Sequence, residues 1–210
     1  MSADVISELK EKLRGISLLE HSIALLEWDQ ETYMPAGGSE SRAAALGEIV
    51  GIKHKRAQDP ALGECLSKAE DLASGSGDLD LQALVREVRY DYEQAIRIPV
   101  PLASQIAESC SQSMAAWKSA KDNDDFAQFA PLLEQQVRLQ SQFADCLQDE
   151  ELCPYDILMN QYERGMTSAR FGEICKVVVP GLQSLVERAA SQPTTTPDFM
   201  KGPWDREKQL

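Results

Sequence analysis

The chain has 210 residues, a formal net charge of −13, and 43% hydrophobic and 26% charged residues. That size supports one domain, or one large domain plus a tail, with a real core. The acidic balance excludes a nucleic-acid partner, because nothing could neutralise a phosphate backbone, and no window reaches the roughly 18–20 apolar residues of a membrane span.

The acids are spread along the chain, which reads as solvated helix faces, with a field that draws in a basic partner as the alternative. Cys65, Cys110, Cys146, Cys153 and Cys175 are odd in number and never spaced C-x-x-C. Neither a disulfide framework nor a zinc knuckle is suggested, and reduced thiols fit a cytoplasmic location. The first residues, MSADVISELKEKLRG, carry acids early and no apolar run, so they do not read as a signal peptide.

Ile6, Leu9, Leu13, Ile16, Leu19, Ile23 and Leu26 step by three and four, predicting a first amphipathic helix. Pro35, Gly37 and Gly38 end it. Ser39 is placed to cap a second helix running through Arg42, Leu46 and Ile49 towards His54, with Ala43 to Ala45 allowing close packing. Asp59–Pro60 starts a third, and Asp78, after SGSG, caps a fourth carrying Leu81, Leu84, Val88, Tyr92 and Ala95. Pro99 and Pro101 open a fifth towards Trp117. Asp124 is the expected cap of a sixth with the stripe Phe126, Phe129, Leu133 and Val137, resumed by Phe143 and Leu147.

Cys153–Pro154 leads into a short helix over 155–162 that Gly165 ends. Thr167 caps a last helix with Phe171, Ile174, Val178, Leu182 and Leu185, in which Pro180 should introduce a kink. No segment outweighs its helical flanks as a strand. The prediction is all-α, with seven or eight helices and no significant sheet, over residues 1–190. Residues 191–204 read as a Pro/Thr linker. Residues 205–210 read as the start of a truncated helix capped by Asp205, too short to stand alone. A helix that begins without a body suggests a fragment, which should expose apolar surface and aggregate or dimerise in isolation.

Residue types offer no chemistry of their own. His21 and His54 are far apart and outside any H-x-x-x-H or H-E-x-x-H spacing, where zinc needs three or four converging ligands. There is no G-x-S-x-G elbow, no P-loop and no G-x-G-x-x-G. Acid pairs such as Glu87 and Asp91 read as surface, and a buried di-metal carboxylate site would want Glu-x-x-His, which is absent. An unrelated Cys–His hydrolase has nothing to single out one cysteine. What stands out are aromatics beside acids and arginines, in WDQETYM (28–34), RYDYEQA (89–95) and YDILMNQYERGMT (155–167). These read as core-edge aromatics or as the wall of a groove.

Four segments of the chain, in order, resemble one known family. WDQETYMPAGGSESRAAAL (28–46) is similar to the W-D-Q-x-T-x-M-P-x-G-G-x-x-x-R-A motif of the carboxypeptidase Taq family of zinc metallocarboxypeptidases. RYDYEQAIRIPVPL (89–102) resembles its R-x-Y-x-x-A-x-x-x-P-x-x-L segment, and WKSAKDNDDFAQFAPLL (117–133) its W-x-x-A-x-x-x-x-D-F-x-x-F-x-P-x-L segment. YDILMNQYERGMTSARF (155–171) resembles its Y-D-x-L-L-D-x-Y-E-x-G-M-T segment, with Asn160 where Asp is usual and Arg164 where Pro is common.

The resemblance implies the N-terminal half of a zincin-like helical metallopeptidase that removes C-terminal residues from peptides. In the family the H-E-x-x-H helix, the third zinc-binding Glu and the substrate-carboxylate residues lie downstream of the matched motifs. No position here matches them, so no catalytic or metal residue carries over. Zinc, or another divalent metal, is implied for the complete enzyme and none for this chain. The implied partners are the missing C-terminal catalytic half, a peptide substrate and a possible homodimer. Trp28, Asp29, Gln30, Met34, Arg42, Tyr155, Asp156 and Tyr162 stand as structural or groove-wall candidates, with Asp29, Gln30 and Arg42 expected to form a network across the break. A stand-alone, non-catalytic helical interaction module is the alternative.

Overall fold

The computed structural model describes residues 2–192, 197 and 200–208. Among them are eight α-helices and no strand: α1 (Ser2–Thr32), α2 (Ser39–Ala57), α3 (Pro60–Ser74), α4 (Leu79–Arg97), α5 (Val100–Asp122), α6 (Phe126–Cys146), α7 (Pro154–Met159) and α8 (Ser168–Ala190). Short 3-10 turns occupy Ala36–Gly38 and Arg206–Lys208. The chain forms two compact units, Met1–Leu158 and Met159–Leu210. The linker expected over 191–204 falls partly outside the described residues, at 193–196, 198 and 199.

Several helix starts follow the expected chemistry, in which a side-chain oxygen takes an orphan backbone N–H. The Asp59 carboxylate accepts from the N–H of Ala61, and that of Asp78 accepts from Asp80 and Leu81. Thr167 Oγ1 accepts from the N–H of Arg170, and Asp205 from that of Glu207. Two assignments move by one residue. Gly38 holds the cap position of α2, and the Ser39 hydroxyl instead donates to the Ala36 carbonyl. Asp125, not Asp124, caps α6 by accepting from Gln128 N–H, while Asp124 takes a left-handed φ of 57°. Asp tolerates that conformation better than most residues, and it turns the chain out of α5.

In the first unit α1 buries the predicted stripe. Leu9 and Ile23 are fully or nearly fully enclosed. Leu9 meets Leu62, Cys65, Leu66 and Ala69 of α3 and Val85 and Val88 of α4 in one apolar cluster. A second cluster joins Ile98, Leu102, Leu139, Ala144, Leu147 and Ile157 at the ends of α4 to α7. The α6 stripe is borne out in part: Leu147 is buried and Phe143 packs against the second cluster, but Phe126, Leu133 and Val137 are exposed, and Leu139 and Ala144, outside the stripe, are buried. The apolar residues of that helix outnumber what one face can hold, so period alone could not choose between them.

Helices α2 and α5 pack closely against each other. The contact rests on Ala43, Gly47 and Gly51, spaced by four, while Ala44 and Ala45 are exposed. A Cβ at Gly47 would lie 3.3 Å from the Ser104 carbonyl, and one at Gly51 would lie 2.4 Å from Ser104 Oγ. The expected run of Ala43 to Ala45 is therefore replaced by a small-residue ridge on one face. Across α3 and α4, Arg89 grips Glu70 with two parallel bonds, Nε to Oε1 at 2.7 Å and Nη2 to Oε2 at 2.6 Å. That hydrogen bonding holds the guanidinium pKa above its usual value. His54 of α2 and Gln58, just past its end, reach the Ile98 carbonyl at the end of α4, at 2.7 and 2.6 Å. His54 thus caps a neighbouring helix, which relieves an orphan carbonyl.

The short helix α7, which closes the first unit, is shorter than expected and ends at Met159. The chain then turns, and the Asn160 carboxamide oxygen accepts from Gly165 N–H at 2.7 Å. Gly165 has a φ of 79°, a conformation that suits glycine. Helix α8 runs through Pro180 as a single element and has no buried residue. Its stripe of Phe171, Ile174, Val178, Leu182 and Leu185 is exposed.

Candidate functional site

The break between α1 and α2 gathers five of the eight candidates. Tyr33 and Met34 N–H groups both bond to the Asp29 carbonyl at 2.9 Å, which closes α1. This turn brings the Tyr33 ring edge-on to Trp28, with centroids 5.3 Å apart. Both rings face solvent, Trp28 at 56% and Tyr33 at 74% exposure. Met34 tucks back beneath the glycines: its Cγ lies 3.2 Å from where a Gly38 Cβ would be.

Arg42 of α2 ties the corner. Its Nη2 donates to Asp29 Oδ2 at 2.5 Å, and its Nη1 donates to the Leu26 carbonyl. Gln30 does not join this pair. It reaches α5 instead, where Ser111 Oγ donates to Gln30 Oε1 at 2.6 Å and Gln30 Nε2 donates to the Ser111 carbonyl at 3.3 Å. Asp29 and Gln30 are adjacent on a helix and so point about 100° apart, which is why one faces α2 and the other α5.

Gln30 and Ser111 border a cleft of about 410 Å³ between α1, α2 and α5. Leu46, Val50, Ile106 and Met114 give it an apolar lining, and Glu27 and Glu31 add carboxylates. Cys110 also lines it. Although Cys110 as a residue is exposed, desolvation pushes its thiol pKa up, and the Glu27 carboxylate adds to this. A protonated thiol without a base beside it is a poor nucleophile. Neither histidine lines the cleft: His21 is exposed, and His54 holds Ile98.

Ser111 was invisible to sequence reasoning, as were Ser109 and Ser113, which are also buried and receive Gln136 Nε2 at 2.8 and 3.2 Å. The available signal was serine at every second place from 109 to 113, which puts Ser109 and Ser113 on one face and Ser111 on another. The remaining candidates lie elsewhere. Tyr155 is exposed and Asp156 buried on α7, next to Ile157 of the second apolar cluster. Tyr162, in the second unit, is 92% exposed.

Among the described residues no three His, Cys, Asp or Glu side chains come together as a metal would need. No helix among them is long and apolar enough to cross a membrane. The thiols give an immediate check. Burial raises the pKa of Cys65, and Glu8 raises it further, whereas Cys153 is exposed. Alkylation of the native chain with iodoacetamide, followed by peptide mass spectrometry, should label Cys153 well before Cys65. Equal rates would contradict the enclosed first cluster.

A family model described as Carboxypeptidase Taq (M32) metallopeptidase matches residues 8–210. Thermostable carboxypeptidase 1 of Thermus thermophilus is 33% identical over 174 residues, covering 79% of this chain and 34% of that protein. Carboxypeptidase 1 of Bacillus subtilis is 28% identical over 210 residues, covering 96% of this chain and 40% of the relative. The solved structure of BsuCP superposes with a TM-score of 0.88 at 25% identity, covering 98% of this chain and 41% of that one. The chain therefore spans well under half the length of the relatives it matches. With the four motifs in register and the match running nearly end to end, the chain belongs to the carboxypeptidase Taq (M32) metallopeptidase family.

Proposed function

We propose that this chain supplies the helical, metal-free part of a zinc metallocarboxypeptidase that removes residues from the C-termini of peptides, and that it is inactive by itself. The observation that carries this reading is the pair of coverages: 96% of this chain against 40% of the Bacillus subtilis relative. The metal that the family description implies does not fit the described residues, which bring no three candidate ligands together. No step of hydrolysis is assigned to them. Zinc, or another divalent ion, belongs with residues outside the matched share.

In this reading the α1–α2 corner is the framework of a groove wall. Asp29 and Arg42 hold the corner, Gln30 ties it to α5, and Trp28 and Met34 are held in place beside them; Tyr155 and Asp156 of the first unit and Tyr162 of the second stand as separate wall candidates. Its partners are the C-terminal catalytic half, a peptide substrate and a second copy of the enzyme in a homodimer. Five free cysteines fit a cytoplasmic location.

The test is release of C-terminal amino acids from an unstructured peptide by the purified chain with added zinc. The expected result is no release above buffer, and zinc-dependent release overturns the reading. A second reading, a non-catalytic interaction module, is favoured by one observation. Among the described residues every buried side-chain nitrogen and oxygen has a partner, as in a self-sufficient fold. Sedimentation discriminates: a monodisperse chain that binds no hydrophobic dye favours the module.

A further inference from the structure

The corner between α5 and α6 forms an open pocket of about 250 Å³ lined by Trp117, Lys121, Asp124, Asp125, Phe126 and Phe129. It lies in the first unit. Three aromatic rings at one surface corner are unusual, because such rings gain most from being covered. Here Trp117 is 41% and Phe126 66% exposed. Phe126 and Phe129 meet edge-on, with centroids 6.5 Å apart. The Lys121 ammonium rests over the Trp117 ring, 5.1 Å from its centroid. A cation is therefore already seated against this wall, supplied by the chain itself.

We propose that this corner is a binding site for an alkylated ammonium group, and that Lys121 is its intramolecular stand-in. Aromatic faces carry negative potential, and a methylated ammonium is attracted to them while surrendering less hydration than a bare one. Asp124 and Asp125 add charge of the right sign at the rim, although Asp125 also caps α6. The same group is presented by a free quaternary amine or by a trimethylated lysine in a peptide. Entry requires the Lys121 ammonium to leave the Trp117 face, so ligand and Lys121 compete.

The experiment follows the Trp117 indole N–H resonance of the full chain, identified by its loss in Trp117→Phe. The probes are choline and its neutral isostere 3,3-dimethylbutan-1-ol. Choline should shift the Trp117 signal and bind about tenfold more tightly than the alcohol, the size expected of one partly exposed cation–π contact. Lys121→Met, which keeps the stem and removes the competing charge, should strengthen choline binding several-fold. Phe126→Ala should weaken it. Lys121 and Phe126 are both exposed, so neither change threatens the fold. A trimethyl-lysine peptide distinguishes the sources: tighter binding than choline supports a peptide ligand, and equal binding supports a free amine. Equal affinity for the alcohol and choline, or no gain from Lys121→Met, overturns the proposal.

Discussion

Gly63→Ala is expected to destabilise the chain by about 1–3 kcal/mol, the cost of forcing a carbon into a filled core. A Cβ at position 63 would lie 2.5 Å from the Tyr92 Oη, 2.7 Å from Cζ and 3.0 Å from Cε1. The obstacle is a ring, not the end of a flexible chain. Tyr92 packs against the first apolar cluster, and the Arg89 guanidinium lies 5.9 Å from its ring centroid. Displacing the ring thus disturbs the Arg89–Glu70 grip between α3 and α4 as well.

Against this stands the intrinsic gain of alanine over glycine in a helix, about 1 kcal/mol, which is too small to win. The midpoint of thermal unfolding should fall by about 2–4 °C per kcal/mol for a chain of this size. Gly75→Ala is the control, since no atom lies within 4 Å of its added Cβ. In a Tyr92→Ala background the penalty should vanish and the helix-propensity gain should appear. Equal melting of the two glycine variants in the wild-type background would contradict the packing of α3 on α4.

Arg42→Ala is the second large effect, about 1.5–3 kcal/mol for a charged group that loses its hydrogen bonds. The Arg42 side chain is only 16% exposed, and it holds both Asp29 and the Leu26 carbonyl. Asp29 is 37% exposed, so solvent screens its share and Asp29→Ala should cost about 0–1 kcal/mol. Arg42→Lys should recover little, because a single ammonium lacks the fork that spans two acceptors. Urea unfolding gives the order: Arg42→Ala lowest in midpoint, Arg42→Lys close to it, Asp29→Ala near the parent. An Asp29→Ala loss equal to that of Arg42→Ala would show that the ion pair alone, not the tie to α1, holds the corner.

How much of this was legible in the sequence depends on what each feature requires. The stripe of α1 and the caps at Asp59, Asp78 and Thr167 are local, and a period or a single side chain suffices to write them. The shift from Asp124 to Asp125 is local too, but it turns on one backbone angle that composition does not encode. The ridge of Ala43, Gly47 and Gly51 needed knowledge that α2 lies on α5. The alanine run drew attention first, yet only one of its members faces the partner. Gln30 pairs with a serine 81 positions away, and no spacing rule reaches that far. In α6 the exposed Phe126 and Leu133 satisfied the period as well as the buried Leu139 did. The motif likeness, by contrast, was legible at once, because four segments in order constrain a family more tightly than any one constrains a contact.

If these residues form the framework of a metallocarboxypeptidase and not its metal centre, they hold no zinc of their own. Zinc content per chain tests this most directly, measured by elemental mass spectrometry on the 210-residue protein after zinc loading and removal of free ion. The expected content is far below one equivalent, as for a chain that carries none of the family's metal ligands. One tightly held zinc per folded chain would contradict it.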